Sequence, residues 1–204
     1  MRKVKLAIIY YSSTGANYTM SKWAEAAAES SGVEVKRLIV KETAPQAAIE
    51  GNEGWKKFRE TIAKQETEAT LDDLEWADIL IFSVPTRYGN LPSQVQSFFD
   101  TTGGLWFQGK LANKVVSGLS SAMNPHGGQE TTLQALYKTM IHWGCVIVPA
   151  GYTADEIFAA GGNPAGASAT VDMEGNIKDE DKIKAAVEHQ VKRTIDIGSR
   201  LVSQ

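Results

Sequence analysis

Residues 6–17 read LAIIYYSSTGAN. An apolar run rich in β-branched and aromatic residues ends abruptly in Ser12, Ser13, Thr14 and Gly15, and the helix-forming stretch YTMSKWAEAAAES follows. The pattern predicts a buried strand, a hydroxyl-rich turn and a helix. Such a turn aims backbone N–H groups and the positive end of a helix at one point, which suits a phosphate dianion. The strand, over 4–11, is apolar almost without interruption, so both its faces need cover, as in a parallel sheet flanked by helices.

The alternation continues downstream. Segment 18–30 places Met20, Trp23, Ala24, Ala27 and Ala28 on one side of a helix, with Gly32 as its stop. Residues 33–40 (VEVKRLIV) alternate at first and predict an edge strand. A helix is expected within 55–64, and a short one over LDDLEW, capped by Thr70 with Asp73 three residues on. DILIFSV at 78–84 is a buried strand running into PTRYGN, and Pro92 opens a helix to about Asp100. Residues 101–113 read as loop and 114–120 as strand. Residues 121–128 form a Gly- and polar-rich loop, 129–143 a helix stopped by Gly144, and 145–148 a final short strand. Residues 149–175 read as irregular. A long amphipathic helix over 179–202 follows, with Ile183, Val187, Val191, Ile195 and Val202 on one face. Five strands alternating with helices predict one α/β domain over 1–204, a doubly wound parallel sheet of order 2-1-3-4-5 with helices on both faces. In open sheets of this kind ligands bind beyond the carboxyl ends of the strands, where the strand order reverses. Loops 12–17, 85–90 and 121–128 then converge on one crevice.

The first loop, Ser12, Ser13, Thr14, Gly15, Ala16 and Asn17, offers hydroxyls, backbone N–H groups and a helix dipole, without Lys or Arg. Neither the spacing G-x-x-x-x-G-K-[ST] nor G-x-G-x-x-G follows this strand. A mononucleotide such as flavin mononucleotide (FMN) is therefore favoured over a dinucleotide or a nucleoside triphosphate. A plain N-capping turn would favour the same residues. The second loop, Pro85, Thr86, Arg87, Tyr88, Gly89 and Asn90, joins a proline-stiffened chain to a guanidinium, an aromatic ring and a tight turn. A flat heteroaromatic ring needs amides at its edge and apolar surface on its face, which the amides of 86–88 and the Tyr88 ring supply. The bland alternative is a surface turn with an exposed Arg. Ser121, Ala122, Met123 and Asn124 frame the opposite side. A lone histidine such as His142, near the end of the next helix, is more often a helix-terminal or core residue than a catalyst. His126, His142 and His189 show no metal spacing, and no metal site is expected. Cys145 reads as a small buried apolar residue, and no G-x-S-x-G elbow is present.

A net charge of −3, with acids and bases spread along the chain, excludes a basic nucleic-acid footprint and a polybasic membrane anchor. The single cysteine permits no intrachain disulfide, which fits a reducing cytoplasm. The apolar run near the start is too short for a signal-peptide core. No stretch approaches the roughly 18 apolar residues that an integral membrane span needs.

Taken together, YYSSTGANYTM, PTRYGN, TGGLW and GGQETTL resemble the flavodoxin-like NAD(P)H:quinone oxidoreductases of the WrbA family, historically called tryptophan repressor-binding proteins. The resemblance covers nearly the whole chain. It implies an FMN-dependent enzyme, a homotetramer, that takes a hydride from NADH or NADPH and reduces quinones by two electrons in ping-pong order. Carried over by position, 12–17 would bind the FMN phosphate and ribityl chain. Thr86, Arg87 and Tyr88 would contact the isoalloxazine, with Pro85, Gly89 and Asn90 shaping their loop, and 121–124 would line the other edge. His142 would reach the flavin's reactive side, and it or Tyr88 would hydrogen-bond the quinone oxygen. Trp106 matches an aromatic that enters a neighbouring subunit's active site. Thr14 stands where the family more often has an aromatic, and Asn17 where flavodoxins often have Thr. Segment 41–68 matches no motif. Two other readings compete: a one-electron flavodoxin-type carrier, which usually has a strongly acidic face, and a non-enzymatic flavin-binding interaction protein.

Overall fold

A computed structural model describes residues 2–202. The chain runs β1 (Lys5–Tyr10), α1 (Ala16–Ser30), β2 (Glu34–Ile39), α2 (Gln46–Glu50), α3 (Glu53–Thr61) and a 3-10 turn (Ala63–Gln65). It continues through α4 (Leu71–Trp76), β3 (Ile79–Pro85), α5 (Ser93–Asp100), α6 (Gly103–Phe107), β4 (Val115–Ala122) and α7 (Gln129–Trp143). The last elements are β5 (Val146–Ile147), α8 (Asp155–Ala159), β6 (Ser168–Thr170) and α9 (Glu180–Val202). The strands pair in parallel in the order β2-β1-β3-β4-β5, with β2 at an edge.

Period-two alternation divides each central strand between two cores. Leu6 and Ile8 of β1 and Ile79 and Ile81 of β3 face α1 and α9, where Met20, Ala24, Val187 and Val191 are buried. Ala7, Ile9, Leu80, Phe82 and Val84 face the other way, against Leu74 of α4, Val95 and Phe99 of α5, and Leu133, Leu136 and Met140 of α7. Covering both faces removes water from the strands' apolar surface, the main favourable term in forming such a sheet.

The expected five-stranded sheet needs one correction, at its fifth position. β5 pairs only with the start of β4, Val115 with Val146 and Val116 with Ile147. β6 then pairs with its end, Ser120 with Ser168 through Ala122 with Thr170. Among the described residues the sheet has six strands, with the fifth position split. After Val148 donates to Val116 O at 2.8 Å, Pro149 has no N–H to extend the ladder, and Gly151 at φ 59° turns the chain away. The excursion carries α8 before the chain returns. Three short helices, α2, α6 and α8, lie in stretches where no helix is expected from the sequence; each has five residues and no sustained apolar period. The longer elements match their sequence signals. α7 begins at Gln129 and stops at Gly144, which adopts φ 77°. Asp73 accepts from the Thr70 N–H at 3.0 Å, closing the expected cap of α4.

Candidate functional site

Beyond the carboxyl ends of β1, β3 and β4 lies a cleft of about 430 Å³. Its wall contains Ser12, Ser13, Thr14, Ala16 and Asn17, then Pro85, Thr86, Arg87 and Tyr88, then Ser121, Ala122, Met123 and Asn124. These residues come from three loops that meet because adjacent parallel strands end side by side, Tyr10 opposite Ser83 and Pro85 opposite Ser121. A cleft of this size is in the range of small-molecule sites.

The first loop is built around the start of α1. Gly15 takes φ 107° at the N-cap, donates its N–H to Ser12 Oγ at 2.9 Å, and supplies no side-chain cap. The first-turn N–H groups of a helix have no partner within the helix, so α1 presents donors and a positive dipole end at the cleft. Asn17 turns inward. Its amide donates to Ser83 Oγ at 3.1 Å, and its Oδ1 accepts from the Ser121 hydroxyl at 2.6 Å. Arg87 reaches across to this loop, with Nη2 2.9 Å from Ser13 Oγ. The loop lacks a basic residue of its own, and Arg87 places one beside it.

The second loop is a two-residue hairpin. Arg87 N–H donates to Asn90 O at 2.8 Å and Asn90 N–H to Arg87 O at 3.0 Å. Tyr88 and Gly89 both have positive φ, 53° and 77°, the signature of a type I′ turn. Tyrosine rarely adopts this conformation, and its ring stands fully exposed at the cleft mouth. Gly89 and Asn90 shape the turn without lining the cleft, as does Gly15 in the first loop. Thr86 locks the hairpin to the third loop. Its N–H donates to Ser121 O at 2.8 Å, and its Oγ1 accepts from the Thr132 hydroxyl at 2.8 Å. Gly128 must be glycine: at φ 93°, a Cβ there would lie 2.6 Å from Gly89 Cα.

Five lining residues escaped the sequence reading: Asn52, Gly127, Val171, Asp172 and Met173. Gly127 sits within a loop that was expected here. Asn52 caps α3, accepting from the Trp55 N–H at 2.9 Å. Residues 171–173 belong to a turn closed by Asp172, whose carboxylate takes the Asn176 N–H and side-chain amide, each at 2.8 Å. Those bonds hold the Asp172 carboxyl below its ordinary range. The turn packs on the first loop: a Cβ on Gly175 would lie 2.7 Å from Thr14 O. Gly175, four residues past the apolar Val171, was the sole local signal.

His142 and Trp106 lie elsewhere. His142, at the end of α7, lines a second cleft of about 410 Å³ with Asn90, Leu91, Gln96, Phe99 and Lys138. Trp106 is exposed rather than core, and its Nε1–H donates to His142 O at 3.0 Å. One chain by itself does not bring either residue into the first cleft. Cys145 is inert by environment: burial pushes its thiol up to about 12, and Sγ donates to Leu111 O at 3.4 Å. Among the described residues no group of three or more His, Cys, Asp or Glu is placed to hold a metal ion.

The residues present fit a flavin mononucleotide. An uncapped helix start, two serine hydroxyls and a nearby guanidinium answer a phosphate. The 85–88 and 121–124 stretches, leaving adjacent strand ends, answer the edges of a planar ring.

A family model described as NADPH-dependent FMN reductase matches residues 4–160. A Deinococcus radiodurans protein named NAD(P)H dehydrogenase (quinone) is 49% identical over 199 residues, covering 98% of this chain and 98% of that protein. A Geotalea uraniireducens protein of the same name is 37% identical over 205 residues, with 97% and 99% covered. Among solved structures, a flavodoxin described as a WrbA-like protein from Agrobacterium tumefaciens aligns with TM-score 0.66 at 18% identity, over 97% of this chain and 99% of that one. RosB with bound 8-demethyl-8-formylriboflavin-5'-phosphate aligns with TM-score 0.65 at 15% identity, over 98% and 81%. These structural likenesses show a flavodoxin-like fold; the two sequence relatives and the family model show the family. The chain belongs to the NADPH-dependent FMN reductase family.

Proposed function

We propose that this chain is an FMN-dependent NAD(P)H:quinone oxidoreductase, acting as one domain in a cytoplasmic homotetramer. The observation that carries the reading is the convergence of loops 12–17, 85–90 and 121–124 on one cleft, in a chain 49% identical over nearly its full length to a NAD(P)H dehydrogenase (quinone). The chemistry supplied by FMN when bound is hydride uptake from NADH or NADPH and two-electron delivery to a quinone, in ping-pong order.

The chain's own residues do the rest. Ser12, Ser13 and the α1 amides after Gly15 hold the phosphate, and Arg87 adds charge from the side. The Thr86 and Arg87 N–H groups are already given to Ser121 O and Asn90 O, so the Tyr88 N–H and the 121–124 stretch would meet the ring's edges and leave a face for the nicotinamide and then the quinone. Tyr88, displayed at the mouth, gives the incoming ring a surface to stack on and a hydroxyl for the quinone oxygen as charge develops there. His142 and Trp106, bonded to each other on the surface, complete the cleft of a neighbouring subunit. The lone Cys145 supports the cytoplasmic assignment, and no described helix is long and apolar enough to cross a membrane.

The test is the visible spectrum of the FMN-loaded protein before and after anaerobic NAD(P)H. The reading expects a bound flavin band that bleaches. A protein that takes up no FMN, or whose bound flavin neither nucleotide reduces, refutes it.

A further inference from the structure

Segment 41–68 carries no motif, yet one of its side chains gathers donors from three elements around the cleft. Glu42 Oε2 accepts from the Tyr11 hydroxyl and from Trp55 Nε1–H, each at 3.0 Å. Glu42 Oε1 accepts from Gln94 Nε2 at 2.7 Å and from the Thr43 and Ala44 N–H groups, each at 3.0 Å. All five donors are neutral groups.

Each distant donor leads to the site. Tyr11, 2% exposed, immediately precedes Ser12 of the first loop. Trp55 belongs to α3, whose N-cap Asn52 lines the cleft and whose Gly54 approaches Thr14; a Cβ there would lie 3.4 Å from Thr14 Cγ2. Gln94, 6% exposed, stands in the first turn of α5, directly after the 85–90 hairpin. A surface ion pair would join two side chains. A carboxylate shared by three elements instead fixes their relative placement, because a carboxylate offers about four acceptor positions and these are all taken up. Burial pushes the Glu42 carboxyl up, but the bonds from the Ala44 N–H, Gln94, Tyr11 and Trp55 outweigh it and hold it below its ordinary range, so Glu42 is ionised at neutral pH.

We infer that Glu42 is a positioning residue for the phosphate loop: it anchors α3 and the end of β1 so that the loop amides around Gly15, whose own N–H is held by Ser12 Oγ, stay aimed at one point. The inference rests on the flavin reading of the cleft. Replacing the carboxylate by an amide leaves one acceptor oxygen among five donors and turns an NH₂ group toward them. The loop amides then lose their common aim, although no residue that would touch the flavin has changed.

Two measurements on the 204-residue chain test it. By hydrogen exchange on the FMN-stripped protein, Glu42→Gln speeds exchange of the Tyr11 and Gly15 amides, which are held by Ser83 O and Ser12 Oγ at the two ends of the loop, by about tenfold, the loss of roughly one net buried hydrogen bond, and leaves α9 unchanged. By equilibrium titration, Glu42→Gln raises the dissociation constant for FMN by about tenfold and leaves that for riboflavin, which lacks the phosphate, unchanged. Trp55→Phe removes one donor and keeps the carboxylate, so it shows the same pattern more weakly and stands in if Glu42→Gln does not fold. Unchanged exchange at Tyr11 and Gly15, or an equal loss for FMN and riboflavin, overturns the positioning role. Faster exchange at Tyr11 and Gly15 in a chain whose wild-type form binds neither flavin supports the role of Glu42 in holding the loop and overturns the flavin reading instead.

Discussion

The Ser121 hydroxyl donates to Asn17 Oδ1 over 2.6 Å, joining two residues 104 positions apart. Asn17 in turn donates to Ser83 Oγ at 3.1 Å, and the Ser83 hydroxyl returns a bond to Asn17 O at 3.1 Å. All three residues are buried. The start of α1 is thereby tied to the ends of β3 and β4. Asn17→Ala takes the acceptor from the buried Ser121 hydroxyl, while the Ser83 hydroxyl keeps its bond to the backbone O of residue 17; the loss costs about 1–3 kcal/mol. Urea unfolding of the FMN-free protein is expected to show that loss with an unchanged m-value. Wild-type stability would contradict the network's role.

Gly128 tests the packing of the second loop on the third. At φ 93°, with Gly89 Cα 2.6 Å from where a Cβ would sit, Gly128→Ala must move one loop off the other. The expected cost is about 1–3 kcal/mol in urea unfolding, together with weaker FMN uptake from the same preparation. Full stability in this variant would mean that the two loops separate freely.

Arg87 makes the opposite prediction. Its guanidinium is exposed and meets Ser13 Oγ at 2.9 Å. Arg87→Ala therefore changes stability by less than about 0.5 kcal/mol. On the proposed reading it raises the FMN dissociation constant by about tenfold, as expected for one lost charge-assisted bond. Fluorescence titration with FMN separates the two effects, and unaltered affinity removes Arg87 from the phosphate site.

The acid limb of stability has an identifiable contributor far from the cleft. Burial pushes the Asp78 carboxyl up, but Arg2, through Nη1 at 2.8 Å and Nη2 at 2.7 Å, and the Lys5 N–H at 3.0 Å hold it below its ordinary 3.8. A carboxyl lowered on folding contributes stability that is fully present above the unfolded value and is lost as pH falls through the folded one. The stability difference between wild type and Asp78→Asn is therefore constant from neutral pH to just above 3.8 and shrinks below it. Urea unfolding across that range measures it. A difference that grows toward low pH would contradict the assignment.

The strands and long helices were legible because their signals are periodic. β1 and β3 are apolar on both faces, and α7 carries its start and its glycine stop in sequence. The three loops were legible because each follows a strong strand directly. Asn52, Asp172 and Met173 were not, since they reach the cleft through tertiary packing: α3 is held by Glu42, and the 172–176 turn rests on Thr14 through Gly175. The split fifth position hid for a related reason: β6 is three residues long and pairs across a gap of twenty residues from β5. His142 shows the converse. Its place at the end of α7 was correctly read, but a helix end does not say which cleft it borders, and it borders the second.

The central claim is a flavin enzyme that passes electrons from a reduced nicotinamide to a quinone. The most direct measurement follows NADH and NADPH oxidation by the FMN-reconstituted chain with benzoquinone as acceptor, at several fixed quinone concentrations. The account predicts turnover with at least one nucleotide, dependent on FMN, with the parallel double-reciprocal lines of a ping-pong reaction. No turnover with either nucleotide in protein that holds FMN would contradict it.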